Sequence, residues 1–158
     1  MTVDDAMAWR VLRLEMLERN PEGFFADLDQ ARAHADEAWQ RGIPAMPDVL
    51  LGLFDGTNLI GSCGFYVEKL PKLAHKGQMW GVYVRDSYRG RGLGLRLVEA
   101  LIGHARNHVE VLLTGATTAG APVYKKAGFE SYAMERDAYR VGGVSLDCEM
   151  LRLQLKRD

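Results

Sequence analysis

Hydrophobic and polar residues follow a helical period over the first 41 residues of the chain. Apolar positions three or four residues apart predict one helix that Asp4 or Asp5 can begin and that ends near Arg19, and a second helix over residues 27–41. The positions expected to face inward are Met7, Val11, Leu14 and Leu17 in the first helix, and Leu28, Ala31, Ala35 and Ala38 in the second. A loop with two prolines follows.

Beyond residue 48 the pattern becomes that of strands. Short apolar or alternating stretches bounded by turn residues are typical of strands, and two amphipathic stretches interrupt them. The predicted strands cover residues 49–54, 59–67, 77–84, 109–114, 129–135 and 144–155, and the predicted helices cover 92–107 and 120–127. The order ααβββαβαββ predicts an α+β fold, a mixed α/β sandwich whose central sheet has helices on both faces.

The third predicted strand, Gly77–Val84, precedes a glycine-rich turn over residues 90–94. Strict alternation places Gln78, Trp80, Val82 and Val84 on one face and Met79, Gly81 and Tyr83 on the other. We expect Trp9, Trp39 and Trp80 in the core, with a position in an acceptor pocket as the alternative for Trp80.

Length and composition are those of one globular domain. At 158 residues, of which 47% are hydrophobic and 26% charged, the chain can bury a core without metals or disulfides, and we expect a single domain over residues 1–158. This composition excludes a disordered tail, a collagen-like repeat and a disulfide scaffold. Cys63 and Cys148 stand apart from each other and from any histidine, which indicates core thiols of a reducing compartment and no metal site.

Charge and hydropathy exclude two classes of partner. The first 17 residues do not resemble a secretory signal, because acidic residues come at their start and Arg and Glu interrupt the apolar positions. No stretch of the sequence approaches the ~18 consecutive apolar residues of a membrane span. A net charge of −1 gives no electrostatic case for nucleic acid. We therefore expect a cytoplasmic protein without a membrane or nucleic-acid partner.

The balanced total conceals two charged segments. Residues 1–40 have nine acidic and four basic side chains, a net charge of −5, whereas residues 69–96 have seven basic and one acidic, a net charge of +6. Most such segments are solvated surface. The alternative is that the middle of the chain holds a polyanion and the first quarter holds a cation.

A glycine-rich turn joins the third strand to the next helix. Gly90, Gly92 and Gly94 let backbone N–H groups turn toward one point, where the helix start adds its dipole and free N–H groups. This arrangement predicts an anion site suited to phosphate. The arginines expected to add charge there are Arg85, Arg89 and Arg91.

Two common phosphate motifs do not fit this turn. A Rossmann fingerprint needs a third glycine where Leu95 stands, so a Rossmann-type nucleotide binder is excluded by the glycine spacing. A P-loop needs Gly-Lys-Ser or Gly-Lys-Thr, and neither tripeptide occurs in the chain.

The segment instead resembles the signature of the GNAT superfamily of acetyl-CoA-dependent N-acetyltransferases. The pattern [RQ]-x-x-G-x-[GA] is present over Arg89–Gly94, and Pro122–Phe129 resembles the family's helix-Tyr-x-x-x-Gly-Phe segment. The resemblance covers roughly Val49–Leu155. It implies acceptor-side helices over residues 1–47 and an acetyl-CoA-binding core over residues 77–128.

The resemblance also implies site residues. It assigns coenzyme A binding to the backbone of Arg89, Gly90, Arg91, Gly92, Leu93, Gly94 and Leu95, and the pairing of pantetheine and polarisation of the thioester carbonyl to Val82, Tyr83 and Val84. Thr117, where the family often has Asn, is a further expected cofactor contact. Tyr124 is the expected catalytic residue, which protonates the departing thiolate. No metal is implied.

The sequence departs from the family pattern in two places. Only Met1–Val3 precedes the first predicted helix, so the family's first strand is expected to be missing or vestigial. Gln78 and Trp80 stand where Glu or His often acts as the base, and neither side chain can take a proton from an ammonium. The candidates for another base are His75, Glu15 and Glu149, although solvation or ordinary ion pairing is the simpler role for each. A water relay from Gln78, or an acceptor amine of low pKa, would also supply a neutral amine.

The sequence therefore predicts an N-acetyltransferase that moves acetyl directly from acetyl-CoA to a primary amine. The acceptor, a small molecule or a peptide N-terminus, is not identified by the sequence. The alternative is a non-catalytic acyl-CoA-binding or sensing module, which Gln78 and Trp80 favour and Tyr124 disfavours. Dimers are frequent in the resembled family, so a homodimer is the candidate assembly.

Overall fold

A computed structural model describes residues 1–155 of the protein. Within this range the helices are α1 (Ala6–Arg19), α2 (Leu28–Arg32), α3 (Asp36–Arg41), α4 (Leu93–Ala105) and α5 (Ala121–Lys126). The strands are β1 (Val49–Asp55), β2 (Asn58–Val67), β3 (Lys76–Val84), β4 (Val111–Ala116), β5 (Glu130–Val141) and β6 (Val144–Gln154).

The strands form one open, mostly antiparallel sheet in the order β1-β2-β3-β4-β6-β5. Only β3 and β4 run parallel, because α4 crosses over the sheet between them. The α+β fold with a mixed, mostly antiparallel sheet that the sequence predicted is confirmed.

Helices cover both faces of the sheet, as the sequence predicted. On one face α4 and α5 pack over a core that includes Phe65, Leu101 and Leu112. On the other face α1, α2 and α3 pack over Leu50, Leu59 and Tyr83. The apolar stripe of α4 forms because every third or fourth residue meets the sheet; its buried members are Leu97, Val98, Leu101, Ile102 and Ala105.

The face of α1 that meets the sheet differs from the predicted one. Of the four positions expected to face inward, Leu17 is buried and Leu14 is half-buried, but Met7 and Val11 are exposed, Val11 by 60%. The buried residues are Ala6, Trp9, Leu12, Met16 and Leu17. Two apolar stripes compete on this helix, and the stripe with the large Trp9 ring removes more apolar surface from water when it is buried.

The second predicted helix, residues 27–41, is two short helices. The carboxylate of Asp27 accepts the N–H of Gln30 and begins α2. The backbone becomes extended at Ala35, which is exposed rather than inward. Asp36 and Glu37 then begin α3, where acidic side chains in the first turn favour a new helix start.

No strand precedes α1 in the described part of the chain, which confirms the missing first strand. Val3–Asp5 form a 3-10 turn. The amino group of Met1 donates a 2.7 Å hydrogen bond to the carbonyl of Leu50, on the edge strand β1. This single bond occupies the sheet edge where a further strand would pair.

Strand β5 continues to Val141, beyond its predicted end at residue 135. Its second half pairs with β6 through a turn at Gly142 and Gly143, both with positive φ. The extension is mostly exposed, so hydrophobic periodicity did not reveal it.

Candidate active site

A β-bulge at Gly81 changes the face of the sheet to which the following side chains of β3 point. Trp80 pairs with Gly64 and Tyr83 pairs with Ser62, so two residues of β3 oppose Cys63 alone. Gly81 has φ of +62°, a left-handed conformation that glycine adopts without strain.

The predicted alternation of β3 is therefore wrong beyond the bulge. Trp80 and Tyr83 pack on the α1 side of the sheet. Met79, Val82 and Val84 pack on the α4 side. The extra residue in the bulge shifts the strand by one position, and a shift of one moves each following side chain to the opposite face.

Strands β3 and β4 pair over only three residues and then separate. The paired residues are Lys76–Gln78 and Val111–Leu113. The buried hydroxyl of Thr114 donates a 3.0 Å hydrogen bond to the carbonyl of Met79 at the point of separation. Beyond it a cleft of about 610 Å³ opens between the two strands.

Most of the sequence-predicted site residues line this one cleft. They are Val82, Tyr83, Val84, Arg89, Gly90, Gly92, Leu93, Gly94, Leu95, Thr117 and Tyr124. Arg91 is not among them: its guanidinium lies over the Tyr88 ring and donates to the carbonyl of Ser87. The cleft is also lined by the loop that follows α1, including Asn20 and Phe24, which the sequence did not predict as site residues.

The start of α4 presents unpaired backbone donors to the cleft. Gly92 caps the helix with φ of +73°, and its carbonyl accepts the N–H of Arg96. The N–H groups of Leu93, Gly94 and Leu95 therefore lack an intrahelical acceptor. Added to the helix dipole, they give this part of the cleft wall the donors and the partial positive charge that suit an anion.

The arginines of this turn contribute less free charge than the sequence predicted. Arg89 donates to the carbonyl of Val84 and to Asn20, and its Nη1 lies 2.9 Å from Asp86. Arg85 lies 3.0 Å from Glu15. Arg89 thus connects the turn to β3 and to Asn20 at the end of α1, and the N–H groups at the start of α4 are left as the donors without an intrahelical acceptor.

Tyr124 is buried in the middle of the cleft wall. Its ring meets Phe129 edge-on at 5.8 Å. Burial raises the pKa of Tyr124 to about 12, and hydrogen bonding with the Thr114 side chain offsets part of this rise. The phenol consequently keeps its proton throughout the neutral range.

Neither of the usual base positions offers a base. Gln78 donates from Nε2 to a carboxylate oxygen of Glu68 at 2.9 Å, and it does not line the cleft. Trp80 does line the cleft, with its ring edge-on to Trp9 at 6.3 Å. An indole has no basic nitrogen.

The remaining candidate bases are engaged or remote. Glu15 accepts the hydroxyl of Tyr83 and pairs with Arg85. Glu149 lies 2.7 Å from Lys125, and this hydrogen-bonded partner holds the pKa of Glu149 below its usual value. His75 is exposed, in the turn that precedes β3, and does not line the cleft.

Arg13 is a candidate functional residue that the sequence did not single out. Its guanidinium lies beside Gly81, where a Cβ on the glycine would be 3.5 Å from Nη1. No sequence signal set it apart, because Arg10 on the same helix also lacks an acidic residue three or four positions away and is nevertheless paired with Asp36.

Residues 1–155 contain no cluster of three or more His, Cys, Asp or Glu side chains placed to hold a metal ion. No helix among them has both the length and the apolar character needed to cross a membrane.

The sequence of the chain is similar to the sequences of known acetyltransferases. The model of the acetyltransferase (GNAT) family matches residues 9–129. The chain is 36% identical to the L-methionine sulfoximine/L-methionine sulfone acetyltransferase of Pseudomonas aeruginosa, over 82% of this chain and 75% of that protein. It is 27% identical to the N-alpha-acetyltransferase RimI of Mycobacterium tuberculosis, over 75% of this chain and 78% of RimI.

The fold is similar to that of a structure solved with acetyl-CoA. YncA of Salmonella typhimurium superposes with a TM-score of 0.84 and 19% identity, over 100% of this chain and 92% of YncA. At this identity the likeness concerns the fold alone.

Proposed function

The chain belongs to the acetyltransferase (GNAT) family and is an acyltransferase, and from this premise we propose that it transfers acetyl directly from acetyl-CoA to the primary amine of a small molecule or of a protein N-terminus. The observation that carries the proposal is the cleft between β3 and β4. It joins an anion site at the start of α4 to a buried, protonated Tyr124.

The glycine turn suits the pyrophosphate of coenzyme A. The backbone of Arg89–Leu95 would hold it, with the unpaired N–H groups at the start of α4 as the donors. No atom stands within 4 Å of where a Cβ would lie on Gly90 or Gly92, so the turn is open to a ligand. Both glycines have positive φ, which most residues with a side chain adopt only with strain.

The free edge of β3 suits the pantetheine arm. Beyond Gln78, β3 pairs with β2 on one edge only, since β4 has turned away. Backbone groups of Val82–Val84 that point to the open edge would pair with the arm and polarise the thioester carbonyl. Thr117, on the opposite wall, would contact the same arm.

Acetyl-CoA supplies an acyl thioester as the donor. In the transfer the nitrogen of the neutral amine forms a bond to the acetyl carbon and the carbon–sulfur bond breaks. The sulfur takes the proton of Tyr124, and the proton that the nitrogen loses passes through solvent and restores the phenol. Tyr124 holds a proton toward the departing sulfur and stabilises the negative charge that develops there. A pKa of about 12 keeps this donor protonated at every pH at which the enzyme would work.

The relatives support an amine acceptor without selecting one. One of them is named for an amino acid derivative and another for N-alpha acetylation. The loop after α1 lines the cleft, and an acceptor would enter beside it.

Release of free thiol from acetyl-CoA tests the proposal. The assay uses a panel of amino acids, polyamines, aminoglycosides and peptides with free N-termini. We expect thiol release that depends on one class of amine, with the acetylated product detected by mass spectrometry. Tight acetyl-CoA binding without transfer to any amine would instead indicate an acyl-CoA-binding module.

A further inference from the structure

A second cavity lies beside the cleft on the α1 side of the sheet. It has a volume of about 320 Å³. Trp80 lines both cavities, so the two are neighbours across its ring. The walls are mainly aromatic and small: Trp9, Ala31, Ala38, Trp39, Gly42 and Trp80, with Arg13, Asp27, Gln30 and His34 as polar members.

Arg13 stands where the two cavities meet. It lines the second cavity, and its Nη1 is next to Gly81, which lines the cleft. Its guanidinium carbon lies 5.7–5.8 Å from the ring centres of Trp9, Phe24 and Trp80. The three rings hold the cation in position but use none of its N–H donors.

The donors of Arg13 lack an anionic partner. Within residues 1–155 no carboxylate lies within ion-pair distance of its guanidinium, although Arg10, Arg19 and Arg32 are all paired. Among the described residues, the one hydrogen bond that its guanidinium donates is to the sulfur of Met16, at 3.6 Å, and a thioether is a weak acceptor.

The carboxylates nearest in the fold are otherwise engaged. Asp27 in the second cavity accepts the N–H of Gln30 at the start of α2. Glu15 is paired with Arg85. Burial without a counter-ion lowers the pKa of Arg13 to about 10, which leaves it charged at neutral pH but insufficiently solvated. A bound anion would compensate this loss of solvation.

We infer that Arg13 binds the carboxylate of the acceptor and that the acceptor is an α-amino acid with an uncharged side chain. This inference rests on the proposed function. The guanidinium lies beside the bulge at Gly81, a few residues beyond Gln78, where β3 parts from β4, so an amine one carbon away from the bound carboxylate is directed into the cleft. The side chain then enters the aromatic second cavity.

Matched acids and amides test the inference without any mutation. The probes are L-leucine with L-leucinamide, L-methionine with L-methioninamide, and L-phenylalanine with L-phenylalaninamide. We expect kcat/KM to be at least tenfold higher for the acid in one or more of these pairs, mainly through KM. An amide has a less basic amine and more of it is neutral at pH 7, so amine ionisation alone predicts the opposite order.

Two variants attribute the preference to Arg13. Arg13→Met keeps an apolar stem against the rings and should reduce the acid-to-amide ratio to less than threefold. Arg13→Lys keeps the charge without the planar fork and should give an intermediate ratio. Arg10→Met is the matched control, since Arg10 is on the same helix, pairs with Asp36 and lines neither cavity.

Calorimetry separates failure of the inference from failure of the proposed function. The same probes are titrated into protein saturated with coenzyme A. Tighter binding of the acid that is lost in Arg13→Met supports the inference even if no amine is acetylated. Equal affinity for acid and amide in all three pairs, a preference that survives in Arg13→Met, or stronger binding of O-phosphoethanolamine than of every amino acid would overturn it.

Discussion

The hydroxyl of Thr114 donates a 3.0 Å hydrogen bond to the backbone carbonyl of Met79, across the point where β3 and β4 stop pairing. Here a side chain of β4 makes the hydrogen bond that a backbone group would make if the two strands continued to pair. The same hydroxyl influences the ionisation of Tyr124. The bond thus connects the geometry of the cleft to the residue proposed to protonate the leaving group.

Thr114→Val should destabilise the protein by about 1–3 kcal/mol, because the buried carbonyl of Met79 loses its donor. Urea unfolding measures this change. Thr114→Ser keeps the hydroxyl and should recover most of the loss, while Thr118→Val, an exposed threonine, should change little. If Thr114→Val is as stable as the wild type, the bond does not hold the strands together.

Gly92→Asp should weaken acetyl-CoA binding at least tenfold, or about 1.4 kcal/mol. The substitution adds a negative charge and a side chain at a positive-φ position in the proposed pyrophosphate site. Gly92→Asn separates the two effects, since Asn tolerates this conformation without charge. Gly103→Asp, on an open part of α4, is the control for net charge. Calorimetry with unchanged affinity in a folded Gly92→Asp variant would remove the site from this turn.

Tyr124→Phe should lower kcat by about 10²–10⁴-fold, the usual contribution of a general acid. The dissociation constant of acetyl-CoA should change by less than about twofold, because only a hydroxyl is lost. Tyr66→Phe, an exposed tyrosine of β2 outside the cleft, is the control. Equal losses of kcat and affinity would show that Tyr124 packs or binds instead of donating a proton.

The rate should follow the neutral fraction of the acceptor. Gln78 and Trp80 supply no base, and Glu15 and Glu149 are ion-paired. The logarithm of kcat/KM should then rise with pH with a slope near one up to the pKa of the acceptor amine. Initial rates with two amines of different pKa measure this slope. A plateau well below the pKa of both amines would reveal a titrating base, and Glu15→Gln would be the first variant to examine.

Stability should fall in alkaline solution as Cys63 titrates. Burial raises the pKa of this thiol from 9.0 to about 12, so between these values the unfolded chain has lost the proton while the folded protein keeps it. The free energy of unfolding should therefore be independent of this thiol below pH 9 and decrease as pH rises from 9 toward 12, by at most about 1.4 kcal/mol per pH unit.

The contribution of Cys63 is obtained by comparing how steeply the unfolding free energy falls with pH in the wild type and in Cys63→Ala. Cys63→Ala leaves a small cavity, which shifts stability by a constant at all pH values. Its unfolding free energy should fall less steeply between pH 9 and pH 10, because the contributions of Cys148 and of the buried tyrosines are the same in both proteins. Identical slopes in the wild type and the variant would contradict the assignment.

The sequence by itself determined the order of strands and helices after residue 48 and the position of the glycine-rich turn. Amphipathic periodicity located α4, and the spacing of Gly90, Gly92 and Gly94 located the turn before it. The motif around Tyr124 identified a candidate acid on the next helix. These features are local, because a helix start and its glycine cap depend on neighbouring residues and are written in consecutive positions.

The tertiary structure decided which faces and which charges reach the cleft. The bulge at Gly81 reversed the outer part of β3, and burial of Trp9 selected the inward face of α1. The acidic first quarter suggested a cation site, yet several of its carboxylates are paired with arginines, and Arg13 in the second cavity has no ion-pair partner within residues 1–155. Partners for β-strand register and for ion pairs come from distant parts of the chain, so no local pattern of hydrophobicity or charge encodes them.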